Sequence, residues 1–382
     1  MGTTAVICEY NPFHRGHEKQ LAMLKKRGDA VIALMSGSLV QRGDAAVFPK
    51  YLRAEAALLC GADLVLELPY PWCCSGAEQF AFGAVSLIGS LNTADTLLFG
   101  SESGDIEGLL KTADRLMSKE YESELSRLIK TDRGTSSVIS LKQRAFEALY
   151  GTGYPEQPNN ILAIEYIKAI KQLALPIKAE TYKREDDGFS ATESRRALLL
   201  NDNEQLSRLI PEKALELYKK YGECDRLERA EAAILFTLRE ADGDTDFAGA
   251  GGGLFELIKK AAYSSASLFE LIKKCTGKSH TAAAVRRAII SAVLKTDRKK
   301  PKQRPKFTIV LAANNIGRGL LAKMRKSAEI EILTKPSYKN RLSEPAKSQF
   351  EDNLKAERLA LLARKNPEPP ESLLKAGPVI LD

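Results

Sequence analysis

The chain has 382 residues, of which 44% are hydrophobic and 28% are charged. That length suits two globular domains, and the composition excludes disordered and fibrous classes. No apolar run is long enough to span a membrane, and no basic segment precedes an apolar one at the N-terminus, so we expect neither a membrane span nor a secretion signal. The six cysteines lack C-x-x-C spacing, which argues against a zinc site and favours reduced thiols in the cytoplasm.

Positive charge is concentrated towards the C-terminus. The whole chain carries 57 Lys and Arg against 49 Asp and Glu, a formal net charge of +8, whereas residues 251–382 alone hold 27 basic and 12 acidic residues. From Lys273 to Lys306 the single acidic residue Asp297 stands among twelve basic ones. Such a stretch is either a solvated surface or one that binds a polyanion such as RNA, and composition does not separate the two.

Short apolar runs alternate with helical patterns over the first half of the chain. Strands are predicted at 4–9, 29–36, 63–68, 95–99 and 176–183. This alternation predicts an α/β fold with a Rossmann-like parallel sheet covered by helices on both faces. Beyond about Leu198 the pattern is helix after helix with no convincing strand. We therefore predict a sheet domain over residues 1–200 and a mainly α-helical, basic region over residues 201–382.

The turn after the first predicted strand contains two of the three histidines of the chain. It reads Glu-Tyr-Asn-Pro-Phe-His-Arg-Gly-His over residues 9–17, and His14 and His17 lie on one face of the first turn of a helix. Asn11 can cap that helix, and Gly16 lets an anion approach the backbone. The free N–H groups, the helix dipole and two imidazoles predict a phosphate site at the carboxyl edge of the sheet. A zinc site is the weaker alternative, because no third ligand accompanies the histidines.

This His-x-Gly-His after a first strand resembles the nucleotidyltransferase superfamily, in which an oxygen nucleophile attacks the α-phosphate of a nucleotide. Further motifs follow in order: Ser-Gly-Ser-Leu-Val-Gln-Arg-Gly-Asp at 36–44, Gly-Ala-Asp-Leu-Val-Leu-Glu-Leu-Pro at 61–69, Leu-Phe-Gly-Ser-Glu at 98–102, Pro-Asn-Asn-Ile-Leu-Ala at 158–163 and Ser-Ala-Thr-Glu-Ser-Arg at 190–195. Together they closely resemble the bacterial tRNA(Met) cytidine acetate ligase family, most densely over residues 4–200.

The resemblance implies a two-step ligase. Acetate would attack the α-phosphate of ATP to form acetyl-adenylate and pyrophosphate. The N4 amine of the wobble cytidine of elongator tRNA(Met) would then take the acetyl group, giving N4-acetylcytidine and AMP. ATP would be a substrate accompanied by Mg²⁺, and coenzyme A would take no part. Residues 1–200 would be the ATP-binding catalytic domain, and residues 201–382 would bind tRNA.

The resemblance also implies roles for individual residues. His14 and His17 would contact the phosphates as catalytic residues. The ATP cradle would be continuous along Ile7, Cys8, Glu9, Tyr10, Asn11, Pro12, Phe13, His14, Arg15, Gly16, His17, Glu18, Lys19 and Gln20. More distant ATP contacts are expected at Gly100, Asn159, Arg184, Ser190, Thr192 and Arg195. Contacts to tRNA are expected at Arg286, Arg287, Lys299 and Lys300.

Several alternatives stay open at this stage. The group that removes the N4 proton could be Glu9, Asp44 or Glu102. A small-molecule adenylyltransferase is a second possible function, although it would not need the basic C-terminal region. A tRNA-binding protein that has lost the chemistry is a third, although the intact His-x-Gly-His argues against it.

Overall fold

A computed structural model of the protein describes residues 2–132, 138–185, 188–241, 246–251 and 253–382. Its strands are β1 (Thr3–Cys8), β2 (Ala30–Ser36), β3 (Leu39–Val40), β4 (Asp44–Ala45), β5 (Leu64–Leu68), β6 (Thr96–Ser101), β7 (Lys178–Lys183), β8 (Phe307–Ala313), β9 (Glu331–Leu333) and β10 (Val379–Ile380). Within these ranges the central sheet has eight strands, seven of them in the order β10-β8-β5-β2-β1-β6-β7, with β9 paired to β8; β3 and β4 form a separate hairpin.

Helices follow most of the strands. They are α1 (Arg15–Lys26), α2 (Lys50–Leu59), α3 (Ala77–Leu91), α4 (Ile106–Leu116), α5 (Lys119–Thr131), α6 (Val138–Tyr150), α7 (Pro158–Gln172), α8 (Ala191–Leu200), α9 (Asn203–Leu209), α10 (Glu212–Tyr221), α11 (Glu231–Arg239), α12 (Leu254–Tyr263), α13 (Leu268–Cys275), α14 (Ala282–Val293), α15 (Asn315–Ser327), α16 (Glu344–Leu362) and α17 (Ser372–Lys375). Over the part of the chain that is described, none of them has the length and apolar character needed to cross a membrane.

The sheet is covered on both faces because its central strands are buried on both sides. Strand β2 pairs in parallel with β1 and β5, and all seven of its residues are buried. Consecutive side chains point to opposite faces. Ile32 and Leu34 pack in the core that contains α3 and α7, whereas Val31 and Ala33 pack in the core that contains α1 and α2. The predicted α/β class and parallel sheet are confirmed.

The expectation that no strand follows Leu198 is wrong. Strand β8 lies inside the sheet, antiparallel to β5, and β9 and β10 pair with β8 in parallel. All seven residues of β8 are buried, so its sequence shows no alternation of apolar and polar residues. A short apolar run of this kind cannot be told from a buried helical segment by periodicity. The helical pattern does hold from α8 to α14. The boundary between 1–200 and 201–382 stays a prediction, with the qualification that the sheet draws strands from both parts.

The topology brings the carboxyl ends of five parallel strands to one edge. Strands β5, β2, β1, β6 and β7 are neighbours in that order and run in the same direction. The segments that leave this edge carry most of the predicted site residues, as expected for an open α/β sheet.

Candidate functional site

The turn between β1 and α1 holds both predicted catalytic histidines in a reciprocal cap. His14 is the N-cap residue of α1, and its Nδ1 accepts a hydrogen bond from the backbone N–H of Gly16 at 3.1 Å. Nδ1 of His17 accepts one from the backbone N–H of His14 at 3.2 Å. Imidazoles thus take the places that a hydroxyl and a carboxylate occupy in the usual capping box. Because each Nδ1 accepts, the proton of each neutral ring lies on Nε2.

The two imidazoles act as one unit. Their ring centroids are 3.6 Å apart with an interplanar angle of 26°. Burial lowers the pKa of His17 well below its ordinary value, and the nearby charges of His14 and Arg184 lower it further. Because His17 is held neutral, the stacked pair offers hydrogen-bond donors without the mutual repulsion of two cations, which suits it to the oxygens of a phosphate.

Gly16 is required by the histidine cap. A Cβ atom at this position would lie 3.0 Å from Cε1 of His14 and 3.4 Å from the carbonyl oxygen of Phe189. The missing side chain therefore lets the His14 ring fold back over the first turn of α1. It also lets the chain beyond β7 approach that turn.

The prediction that Asn11 caps α1 is wrong. The helix begins only at Arg15, so the N-cap position falls on His14. Asn11 instead accepts a hydrogen bond from the backbone N–H of Val47 at 2.7 Å through its side-chain oxygen. It therefore joins the turn to the segment that follows β4.

The remaining cradle residues divide into a buried floor and a polar rim. Tyr10 and Phe13 are fully buried, and Cys8, Asn11 and Pro12 are also buried.

The polar rim lies on α1. Arg15 donates to the backbone carbonyls of Ser207 and Arg208 at 3.2 and 2.9 Å, and it also pairs with Glu18. Lys19 pairs with Glu185 at 3.0 Å. Ile7 is partly buried against the core, and Gln20 lies on the half-exposed face of α1.

Predicted residues from three separate segments meet beside β6. The carboxylate of Glu102 accepts hydrogen bonds from the side chain of Asn159 at 2.7 Å and from the backbone N–H groups of Asn159 and Asn160 at 3.1 and 2.7 Å. The side-chain oxygen of Asn159 then accepts from Nη1 of Arg184 at 3.1 Å. Burial alone would raise the pKa of Glu102, but these hydrogen bonds outweigh it and lower the pKa. The network presents Arg184 at the edge of the sheet.

Gly100 makes room for the side chains of β7. It pairs with Tyr182 in the sheet, and a Cβ atom there would lie 2.9 Å from Cγ of Arg184 and 3.0 Å from Cζ of Tyr182. The lack of a side chain at Gly100 therefore sets how Arg184 lies across the end of β6.

The start of α8 brings a second arginine to the turn. Ser190 caps the helix by accepting from the backbone N–H of Glu193 at 3.1 Å. Arg195 donates to the carbonyl of Asn11 at 2.7 Å and to the hydroxyl of Thr192 at 3.2 Å. Burial lowers the pKa of Arg195, as does the neighbouring charge of Arg42. Thr192 thus contacts the guanidinium directly, whereas Ser190 fixes the start of the helix that carries it.

Comparison with known proteins identifies the family of the chain. The sequence model of the family described as HIGH nucleotidyl transferase matches residues 1–372. The tRNA(Met) cytidine acetate ligases of Thermoanaerobacter sp. (strain X514) and Caldanaerobacter subterraneus subsp. tengcongensis are 33% and 34% identical, each with 96% of both chains covered. The chain belongs to the tRNA(Met) cytidine acetate ligase family. The crystal structure of Thermotoga maritima TmcAL bound with alpha-thio ATP matches with a TM-score of 0.91 at 27% identity over the full length of both chains.

In this family member a fully buried arginine, which the sequence pattern did not reveal, joins the segments around the histidine turn. Arg53 donates to the carbonyls of Phe48 at 2.9 Å, Ser36 at 3.1 Å and Gly37 at 2.5 Å, and also to the carbonyl of Glu9. Burial lowers its pKa. The available signal was an arginine among the buried alanines of α2.

Glu9 connects the turn to the β3–β4 hairpin, the segment Leu39–Ala45. Its carboxylate accepts a hydrogen bond from the backbone N–H of Gln41 at 2.7 Å. Burial raises the pKa of Glu9, while the Gln41 hydrogen bond and the charge of Arg195 lower it. Glu9 therefore lies between the histidine turn and the hairpin.

The four residues predicted to bind tRNA separate into two pairs. Arg286 pairs with Asp44 at 3.1 Å, and Arg287 donates to the carbonyl of Gln41 at 2.9 Å, so both lie against the β3–β4 hairpin. Lys300 pairs with Asp352 of α16, and Lys299 adjoins it at the surface. The structure thus brings two of the four residues next to the predicted ATP site.

A second buried charged group, also not anticipated, supports the start of the hairpin. Nζ of Lys50 lies 2.9 Å from both oxygens of Glu67 and 3.2 Å from an oxygen of Glu357. Burial lowers the pKa of Lys50, but the two carboxylates outweigh it and raise the pKa. Glu357 in turn accepts from the hydroxyl of Ser38 at 2.8 Å. Helix α16 is thereby anchored at the site.

Proposed function

We propose that the protein is an ATP-dependent ligase that acetylates N4 of the wobble cytidine of elongator tRNA(Met). The observation that carries the proposal is the convergence of two stacked imidazoles with Arg184 and Arg195 at one edge of the sheet. This arrangement suits an anionic triphosphate better than a neutral substrate. The names of the relatives supply the acceptor and the acyl group.

In the first step an oxygen of acetate attacks the α-phosphorus of ATP. The bond from that phosphorus to the bridging oxygen breaks, and pyrophosphate leaves with the electron pair. No protein nucleophile is needed, because positioning and charge stabilisation lower the barrier. His14 and His17 donate from Nε2 to the phosphate oxygens, and Arg184 and Arg195 balance the negative charge.

Mg²⁺ is proposed to enter with ATP. Among the residues that the structure describes, no group of three or more His, Cys, Asp or Glu side chains could hold a metal ion. Magnesium is commonly held by substrate phosphates and water with few protein ligands, so this surface is compatible with an ATP-bound ion.

In the second step the N4 amine of cytidine attacks the carbonyl carbon of acetyl-adenylate. The bond from that carbon to the phosphate oxygen breaks, AMP leaves, and the amine gives up one proton. Glu102 is unsuited to take it, because both of its oxygens cap α7. Burial raises the pKa of Asp44 to about 6, close to the value that suits a general base at neutral pH. We therefore favour Asp44 over Glu102 as the proton acceptor.

The RNA is proposed to lie along the basic helical region, with Arg286 and Arg287 nearest to the site and Lys299 and Lys300 further out. Phosphate neutralisation by clustered cations supplies most sequence-independent RNA affinity. The protein is proposed to act in the cytoplasm, on acetate rather than acetyl-coenzyme A.

The test is nucleoside mass spectrometry of unmodified bacterial tRNA incubated with the protein, ATP-Mg²⁺ and isotopically labelled acetate. Labelled N4-acetylcytidine that requires ATP, and that is not produced when acetyl-coenzyme A replaces acetate, is the expected result. If acetyl-adenylate forms but no RNA is acetylated, the first reaction step is supported and the proposed RNA acceptor is wrong. Stable transfer of AMP to a small phosphorylated molecule would favour an adenylyltransferase instead.

A further inference from the structure

A cavity of about 270 Å³ opens between the start of α3, helix α14 and the segment 246–251. We call it the α3–α14 cavity. Its lining includes Gln79, Phe247, Arg287, Arg298 and Lys302. We propose that this cavity holds the acceptor nucleoside of the RNA, with the base inside and the adjoining phosphate on Arg298 and Lys302. The inference rests on the proposed function and specifies where its second substrate binds.

The cavity adjoins the edge of the sheet that carries the histidine turn. Strand β5, which leads into the cavity wall, is separated from β1 by β2 alone. Strands lie about 4.8 Å apart, so the ends of β1 and β5 are about 10 Å apart. A single residue bridges the two places: the backbone N–H of Gln41 binds Glu9, and its carbonyl binds Arg287 in the cavity wall.

Electrostatics also connect the cavity with the carboxylates of Glu9 and Asp44. Cys74 lines it, and burial raises the pKa of this thiol to about 12. The charge of Arg287 lowers that pKa, whereas Glu9 and Asp44 raise it. The favoured proton acceptor, Asp44, therefore contributes to the electrostatic environment of the cavity, and its partner Arg286 is the sequence neighbour of Arg287 in the cavity wall.

The size of the cavity fits one nucleoside. Pockets for small molecules usually measure about 300–1000 Å³, so a volume of about 270 Å³ lies just below that range and excludes a run of stacked bases. Enzymes that modify a base take it out of its stack into a pocket, and a base in a single-stranded loop is the easiest to extract.

The lining offers what a pyrimidine needs. The side-chain carboxamide of Gln79, which has both a donor and an acceptor, makes no hydrogen bond with another residue in the described ranges. Its N–H group can donate to O2 or N3 of cytosine. Phe247 supplies an aromatic wall on which a base can stack. The N4 amine would then be left to face the acetyl group.

Two cations mark where the phosphate would lie. Arg298 is exposed and pairs with Asp246 at 2.6 Å, and Lys302 is exposed on the same side. Arg287 is more deeply placed, and burial lowers its pKa. A nucleoside entering the cavity would thus carry its phosphate past Arg298 and Lys302 and its base towards Arg287 and Gln79.

The test compares the two reaction steps in the full-length protein. The variants are Gln79→Ala and Gln79→Glu, the second of nearly equal shape but without the N–H donor. We expect each to lower kcat/KM for N4-acetylcytidine formation on bulk unmodified tRNA at least tenfold. Acetate-dependent exchange of labelled pyrophosphate into ATP should stay within twofold of wild type. Arg298→Ala should raise the KM for tRNA and reduce the salt dependence of RNA binding by about one counterion. Arg325→Ala, at an exposed arginine of α15 away from the cavity, is the control.

The outcomes separate this inference from the proposed function. If wild-type protein forms N4-acetylcytidine and both Gln79 variants do so at the wild-type rate, the cavity is not the nucleoside site and the inference is overturned. If pyrophosphate exchange falls in step with transfer, the cavity serves ATP rather than RNA, and the inference is again overturned. If wild-type protein forms no N4-acetylcytidine at all, the proposed function itself fails.

Discussion

The histidine turn and the contact of the β3–β4 hairpin with α14 meet at one edge of the sheet, yet they are built from contacts of very different range. In the turn, the two hydrogen bonds between a histidine ring and the backbone join residues two or three positions apart. In the hairpin contact, Asp44 meets Arg286 and Gln41 meets Arg287, partners 242 and 246 positions apart. A local sequence pattern can therefore indicate the chemistry of the turn, whereas the hairpin contact exists only because the whole chain folds.

The hairpin contact depends on a close approach of two backbones. Gly43 has a φ of 74°, and a Cβ atom there would lie 2.6 Å from the backbone nitrogen of Arg287. No side chain fits between the hairpin and α14 at this point. This close approach explains the glycine at the tip of the β3–β4 hairpin. It also brings α14 against the same hairpin that contacts Glu9 through Gln41.

The largest expected effect comes from removing Arg53, which joins the histidine turn, through Glu9, to the residues on either side of the β3–β4 hairpin. Arg53→Met would leave the carbonyls of Glu9, Ser36, Gly37 and Phe48 without their donor. We expect the free energy of unfolding to fall by about 3–5 kcal/mol, measured by urea denaturation. Arg53→Lys should recover less than half of the loss, because an ammonium group cannot span the same carbonyls. A change below 1 kcal/mol for Arg53→Met would show that this arginine does not hold these segments together.

The next largest effect is expected at His14, where two substitutions separate the catalytic role of the histidine turn from its role in stability. His14→Asn keeps a good N-cap residue but removes the imidazole, whereas His14→Ala removes both. Both variants should lose about 10²–10³-fold in acetate-dependent pyrophosphate exchange, the loss typical of a missing oxyanion donor. Thermal unfolding should find only His14→Ala destabilised, by about 1 kcal/mol. Exchange activity within a few-fold of wild type for His14→Asn would rule out the phosphate role.

A smaller effect, confined to the second step, is expected at the hairpin contact. Arg286→Gln removes the partner of Asp44 and one positive charge facing the RNA. We expect the KM for tRNA to rise about tenfold, while acetate-dependent pyrophosphate exchange is unchanged. Arg325→Gln serves as the matched loss of an exposed arginine elsewhere. Equal loss of both steps in Arg286→Gln would mean that the hairpin belongs to the ATP site rather than to the RNA side.

The smallest effect is the pH dependence of the turn. The folded protein holds the pKa of His17 well below the value of about 6.5 expected in the unfolded chain. As the pH falls below 6.5, the unfolded state takes up a proton that the folded state refuses, so stability is lost. The free energy of unfolding should fall by at most about 1.4 kcal/mol for each pH unit. Urea denaturation of wild type and His17→Gln between pH 7 and 5 should show a shallower slope in the variant. Parallel curves would mean that His17 is not held neutral.

Most of the sheet and the centre of the site could be predicted from the sequence. Strands β1, β2, β5 and β6 fall on the expected apolar runs, because buried parallel strands are continuous in sequence and are separated by helices. Strand β7 also lies where a strand is predicted, although it is a polar edge strand with no buried residue. The turn at residues 9–17 follows from local capping, although His14 rather than Asn11 occupies the cap. The predicted ATP contacts Asn159, Arg184 and Arg195 all reach the expected edge, since each lies at the end of a strand or the start of a helix.

Other features depend on residues that only the fold brings together. The sequence of β8 shows no alternation of apolar and polar residues. Its position beside β5 is set by pairing within the folded sheet. In the sequence, Arg53 and Lys50 look like ordinary helical residues of α2. Only the fold brings Arg53 to the carbonyl of Glu9 and Lys50 to the carboxylate of Glu67. By itself the sequence determined the family, the parallel sheet and the histidine turn, because these depend on local order. Only the tertiary structure decided the buried charges, the hairpin contact and the α3–α14 cavity, because their energies arise between segments far apart in the chain.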